Sequence, residues 1–231
     1  MAKCKFCGAE VAIGARCTYC GSKAESWYYS VEEKKQEPKK KQVITLNAEY
    51  DDLGAGRKIF KIIYADPAWL YRDKAVAGGR GAGCHYTVTS LEDIKALPVE
   101  KLADDDSVLF MWVTMPFLEE AFDVMRSWGF EYKTCAFTWI KQNKKADTLF
   151  WGMGNWTRAN AELCLLGVRG KPKRMDAGVH SVIMSHIEEH SKKPAETRDR
   201  IVKLMAGGGL PKIELFARQS IDGWDCWGNE L

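Results

Sequence analysis

The chain has no apolar run approaching the roughly 18 residues that a membrane-spanning helix needs. Its first residues, Met1-Ala2-Lys3-Cys4-Lys5, form no apolar signal segment. Both absences point to a cytoplasmic protein without a membrane partner. A strong charge of either sign is also missing: the formal net charge is +3, too little to establish nucleic-acid binding on its own. There is no internal repeat, and no Ser/His/Asp or Cys/His catalytic triad is readable. The three late histidines, His180, His186 and His190, have neither the spacing nor the carboxylate partner of a metal site and read as loop or surface residues.

What is present suits one globular domain with a small appendage: 231 residues, 46% of them apolar. Nine tryptophans, eight tyrosines and nine phenylalanines are a generous supply; most of them read as core, and aromatic faces are also what base stacking uses. Four of the eight cysteines fall in the first 20 residues. The others, Cys84, Cys135, Cys164 and Cys226, are scattered, as reduced thiols of a cytosolic chain are.

Residues 1–22 carry Cys4-Lys5-Phe6-Cys7-Gly8 and Cys17-Thr18-Tyr19-Cys20-Gly21. Each C-x-x-C-G knuckle brings two thiolates toward one tetrahedral ion, and its glycine eases the turn. The segment reads as a zinc ribbon held by Cys4, Cys7, Cys17 and Cys20, since so short a stretch buries no core without metal. Iron in place of zinc, and free or disulfide-bonded thiols, are the alternatives. Residues 23–42 read as a charged linker, poor in apolar residues and broken by Pro38. A solvated tether is the plain reading, and contact with phosphates the other.

From residue 43 to residue 231 strand and helix patterns alternate. Ile59–Ala65, Ser107–Thr114, Glu131–Lys141, Ala161–Val168 and Ile213–Ala217 read as strands. Ser90-Leu91-Glu92-Asp93 opens a short helix that Pro98 ends. Pro116–Trp128 and Pro194–Met205 read as further helices. This order predicts an α/β fold with a mostly parallel sheet covered on both faces. Three stretches fit no regular element: the glycine-rich Val76–Gly83, a candidate lid; the basic and aromatic Asn143–Asn155; and Lys171–His190.

The chemistry concentrates at Asp66-Pro67-Ala68-Trp69, directly after the first strand. Ligands of open α/β sheets bind at this end of the strands. An adenine amine is a weak nucleophile because its lone pair is delocalised into the ring. Two fixed acceptors, the Asp66 carboxylate and the Pro67 carbonyl, would accept hydrogen bonds from both its N–H groups and expose that lone pair. Trp69 offers a face for a base drawn out of its stack.

Further blocks follow in order: LFMWVTM, FTWIK, NWTRANAELCLLGVRGKPKR with EHSKKP, and IELFAR with a terminal WGNE. With YADPAW at their head, these blocks resemble the MT-A family of N6-adenine methyltransferases, over about residues 59–231. The small bacterial and phage enzymes look most similar. The resemblance implies a Rossmann-like, circularly permuted methyltransferase fold using S-adenosylmethionine. It implies catalytic roles for Asp66, Pro67 and Trp69. It also implies cofactor binding by Asp66 at the methionine amine, by Lys193 at the carboxylate, and by Arg218, Asn229 and Glu230 at ribose and adenine. Two positions depart from the family: Ala68 replaces the second proline of D-P-P-W, and Glu230 stands where the mRNA enzyme has glutamine. The ribbon and linker fall outside the resemblance. It leaves DNA as the leading substrate polymer, RNA as the second, and a non-catalytic nucleic-acid-binding subunit as a third reading that the retained Asp66 disfavours. A homodimer or a partner subunit is compatible with all three.

Overall fold

The computed structural model describes residues 2–3, 10–11, 59–69, 90–154, 156–188, 192–205 and 209–228. Cys4, Cys7, Cys17 and Cys20, the linker, the glycine-rich stretch 76–83, His190, and Asn229 and Glu230 lie outside the described residues. The chain divides into two compact units, Met1–Lys41 and Gln42–Leu231. In the first, β1 (Ala2–Lys3) pairs antiparallel with β2 (Glu10–Val11), Ala2 opposite Val11 and Lys3 opposite Glu10.

The second unit is built on one eight-stranded sheet. Its elements run β3 (Phe60–Ala65), α1 (Leu91–Ala96), α2 (Val99–Leu102), β4 (Ala103–Val113), a 3-10 turn (Met115–Phe117), α3 (Leu118–Ser127), β5 (Glu131–Asn143), β6 (Ala146–Leu149), β7 (Ala161–Arg169), β8 (Val182–His186), α4 (Glu196–Met205), β9 (Lys212–Leu215) and β10 (Asp225–Trp227). The strand order is β10-β9-β3-β4-β7-β5-β6, with β8 also paired to β5.

Side-chain alternation along the central strands divides the core. Ile63, Ala65, Leu109 and Met111 point to one face and pack with α1, α2 and α3 through Ile94, Val99, Val124 and Trp128. Ile62, Tyr64, Val108, Phe110 and Trp112 point to the other face, where Ile201 and Met205 of α4 cover them. A strand buried on both sides reads as an unbroken apolar run, which is why these strands are plain in the sequence. Local signals fix the helix ends. The Ser90 hydroxyl accepts from the Asp93 amide at 3.1 Å at the start of α1. Gly129, at φ +81°, takes the left-handed conformation just past α3.

The expectation of a mostly parallel sheet holds in part. β10–β9, β9–β3, β3–β4 and β5–β8 are parallel, but β4–β7, β7–β5 and β5–β6 are antiparallel. The sheet is mixed because no helix joins β5 to β7. Without a crossover, the chain turns back through β6 and a loop, and the returning strand runs antiparallel. Three strands escaped the sequence reading, β6, β8 and β10, as did the four-residue α2. No helix among the described residues is long and apolar enough to cross a membrane.

Candidate active site

The chain leaves β3 toward β4 through helices on one face. It comes back to β9, on the other side of β3, through α4 on the opposite face. The C-terminal end of β3 is therefore a switch point, where a crevice opens between the diverging connections. Asp66 is the first residue beyond that end. Register brings three other elements to the same edge: Ala65 lies opposite Met111 of β4, Val113 opposite Leu163 of β7, and Ala161 opposite Ile140 of β5.

Four charged side chains meet here in alternating sign. Lys193 Nζ stands 2.8 Å from Asp66 Oδ2 and 3.4 Å from Glu162 Oε2, and Lys141 Nζ stands 2.5 Å from Glu162 Oε1. Lys193 and Glu162 are buried. Aromatic rings floor the array: Lys193 lies 5.9 Å from the Trp112 ring and Lys141 4.9 Å from the Trp139 ring. The Trp112 indole donates in turn to the Tyr64 hydroxyl at 2.6 Å, so its plane is held from below.

Burial governs the protonation of the array. It lifts the Asp66 carboxyl above its ordinary value, and Lys193 opposes this only in part. For Glu162 burial is again the largest single influence and works upward, but Lys193 and Lys141 together outweigh it and bring the carboxyl below its ordinary value. Burial pulls Lys193 down, and Asp66 and Glu162 more than reverse this, so its ammonium holds its proton more tightly than a free lysine does.

The turn after β3 is tight. The Trp69 amide donates to the Pro67 carbonyl at 2.9 Å, which leaves that oxygen its second lone pair. Trp69 is only 7% exposed. Its indole N–H donates to the Trp112 carbonyl at 3.1 Å, and its ring stacks on Phe117 at 5.8 Å. The open platform expected of Trp69 is thus not what the packing provides: the ring anchors the Asp66 turn to the core. Beyond β9, Phe216 takes φ +62°, a left-handed conformation rare for a bulky residue. This strained turn carries Arg218, which acts electrostatically on Asp66. The Ala217 amide donates to the Trp227 carbonyl at 2.9 Å, so β10 delivers Gly228 against Ala217.

Structure therefore brings Asp66, Pro67, Lys193 and Arg218 to one edge and adds Glu162 and Lys141, which sequence reasoning missed. The missed signal was a lone glutamate inside the apolar run Ala161–Val168. A cleft of about 450 Å³ opens beside the array, between Thr114, Phe117, Phe150, Asn160 and Glu162. Thr114, in its wall, holds its Oγ1 buried without a hydrogen-bond partner. Among the described residues no group of three or more His, Cys, Asp and Glu side chains could hold a metal ion.

The MT-A70 family model matches residues 60–230. Type II methyltransferase M.MunI of Mycoplasma sp is 34% identical over 193 residues, 76% of this chain and 79% of that protein. The N(6)-adenosine-methyltransferase MT-A70-like protein of Drosophila melanogaster is 31% identical over 176 residues, 74% of this chain and 27% of that protein. The human N(6)-adenosine-methyltransferase catalytic subunit METTL3 is likewise 31% identical, over 74% of this chain and 28% of its own length. The chain thus spans most of the Mycoplasma protein and little more than a quarter of the two animal ones. It belongs to the MT-A70 family.

Proposed function

We propose that this chain is an S-adenosylmethionine-dependent methyltransferase acting on the N6 amine of adenine in DNA. The observation that carries this reading is the Asp66–Lys193 pair at the switch point, 2.8 Å apart at the end of β3. Its donor set fits the cofactor. The methionine end of S-adenosylmethionine is a zwitterion, and a cationic Lys193 beside an anionic Asp66 answers its carboxylate and ammonium with opposite charges. When bound, the cofactor supplies an electrophilic methyl group on sulfonium sulfur. Arg218 and, at the chain's end, Asn229 and Glu230 take its ribose and adenine.

The chain's own residues prepare the acceptor. The Asp66 carboxylate and the second lone pair of the Pro67 carbonyl accept hydrogen bonds from the two amine N–H groups, which turns the nitrogen lone pair outward. Trp69 keeps that turn rigid from within the core. Asp66 and Glu162 together hold the proton on the buried Lys193, and Lys141 pairs with Glu162, so the four-membered array is neutral overall.

DNA is preferred because M.MunI is matched along most of its length, whereas the adenosine-modifying relatives share only about a quarter of theirs. The N-terminal unit is assigned one structural zinc on Cys4, Cys7, Cys17 and Cys20. Supporting this, β1 and β2 pair antiparallel, and Cys4 and Cys7 lie between them in sequence. The reduced Cys135, Cys164 and Cys226 fit a cytoplasmic enzyme.

The deciding experiment incubates labelled S-adenosylmethionine with unmethylated DNA and with RNA side by side, followed by digestion and nucleoside mass analysis. N6-methyl-2′-deoxyadenosine is the expected product. Methyladenosine from RNA alone would reverse the polymer, and label in neither would remove the activity.

A further inference from the structure

Between β6 and β7 the chain exposes a run of large apolar side chains: Trp151 at 60%, Met153 at 83% and Trp156 at 99% exposure. Scattered single apolar residues on a surface need no explanation, but three within six positions do. The backbone beneath them is pinned. Gly152 and Ala159 form a β-bridge, with the Gly152 amide donating to the Ala159 carbonyl at 2.7 Å. Asn160 Nδ2 ties this base to β5 through the Lys141 carbonyl at 3.0 Å and to the Phe150 carbonyl. At Gly154 an added Cβ would stand 2.0 Å from the Thr157 carbonyl oxygen, so only glycine fits this turn. The loop that carries the rings is therefore fastened at its base.

Two further observations say what meets them. The charge around the loop is positive: Arg158 within it and Lys144 and Lys145 in the preceding β5–β6 turn are exposed, and Asp147 of β6, the one acid between positions 143 and 160, faces His186 at 3.2 Å. The loop also continues into the cleft. Phe150, Gly152, Met153 and Gly154 form its outer wall, and Lys141 and Glu162 of the charged array form its floor.

We propose that this loop, with the β5–β6 turn before it, is the strand-holding surface of the enzyme, on which Trp151 and Trp156 stack the nucleotides flanking the target adenine while Arg158 of the loop and Lys144 and Lys145 of the turn meet their phosphates. The inference rests on the methyltransferase reading and names the part of the surface that grips the polymer. Stacked aromatics hold single-stranded nucleotides without reading their sequence, and flanking cations add a salt-dependent attraction. A duplex whose adenine leaves the stack presents such loosened neighbours.

The test compares full-length wild type with Trp151→Ala, Trp156→Ala, the double variant, and Trp151→Phe/Trp156→Phe. KM and kcat are measured on an adenine-containing oligonucleotide, cofactor affinity by calorimetry, and oligomeric state by sedimentation. Each alanine should raise the oligonucleotide KM about tenfold. The kcat and cofactor affinity should stay within about twofold, and the phenylalanine pair should restore most of the loss. Oligonucleotide should quench the intrinsic fluorescence of wild type more than that of the double variant. Unchanged KM in the double variant overturns the proposal. So does a change in subunit assembly with no change in oligonucleotide affinity, which makes the loop a protein interface. If wild type methylates no polymer, the methyltransferase reading fails instead, and the quenching result still decides whether the loop grips a strand.

Discussion

Asp66 and Glu162 are carboxylates on one lysine, yet their environments drive them apart. Asp66 has a single cation within bonding distance and burial prevails; Glu162 lies between two lysines and they prevail. The consequences have opposite sign. Asp66 binds its proton more tightly in the folded chain, so it subtracts stability as pH rises from its ordinary value through the raised one. Glu162 adds stability that is complete above its ordinary value and is lost as pH falls through the lowered one. The proposed mechanism uses the ionised Asp66, so the acid limb of activity should lie above the range of an ordinary aspartate, and a pH profile of kcat/KM checks this. Asp66→Ala should lower turnover on the order of a hundredfold or more while leaving the circular dichroism spectrum intact. Near-wild-type turnover would remove Asp66 from the mechanism. Lys193→Ala should weaken S-adenosylmethionine binding by about 2 kcal/mol or more in calorimetry, and oligonucleotide binding less. Glu162→Ala leaves two lysines facing a hole and should cost about 3–5 kcal/mol in urea denaturation. Asp66 was legible in the sequence because a turn motif follows an apolar strand. Glu162 was not, because a single charge in an apolar run looks like the end of a face rather than the centre of a site.

At the scale of elements, what the sequence revealed follows burial. β3, β4 and β7 are packed on both sides and stand out as apolar runs. β6 is exposed at all four positions, and β8 buries little more than Ile183, so neither carries a hydrophobic signal. Strand direction was legible only indirectly, in the missing helix between Lys141 and Ala161, which marks where the antiparallel pairings enter. Close approaches between elements were not legible at all. Gly228 is one: an added Cβ would stand 2.0 Å from the Ala217 carbonyl oxygen and 2.6 Å from its nitrogen, both backbone atoms. At Gly167 the nearest atom, at 2.5 Å, is the terminal methyl of Met125, which a rotamer change moves aside. Gly228→Ala should therefore cost about 1–3 kcal/mol by pushing β10 off the turn after β9, and it should weaken cofactor binding. Gly167→Ala should cost less and leave cofactor affinity unchanged. Urea denaturation with cofactor titration separates them, and equal losses at both positions would show that the β9–β10 junction is not part of the cofactor cradle.

For the whole molecule, the division into Met1–Lys41 and Gln42–Leu231 matches a division of chemistry. Every described residue of the charged array lies beyond residue 60, and the family model begins there. The first unit has two short β segments and four cysteines at metal-binding spacing, and nothing in methyl transfer requires a metal. Deleting residues 1–42 should leave a folded domain that binds S-adenosylmethionine with unchanged affinity. The KM for nucleic acid should rise. The slope of log affinity against log salt should become shallower by about 0.9 for each phosphate that Lys34, Lys35, Lys39, Lys40 and Lys41 neutralise in the intact chain. Metal analysis of the intact chain should find one zinc, and the truncated chain none. A protein-docking ribbon predicts instead that truncation leaves both nucleic-acid affinity and its salt slope where they were. The slope separates these roles better than affinity does. Without stacking on the Trp151–Trp156 loop, binding weakens at every salt concentration alike, whereas without the lysine–phosphate pairs it weakens most at low salt.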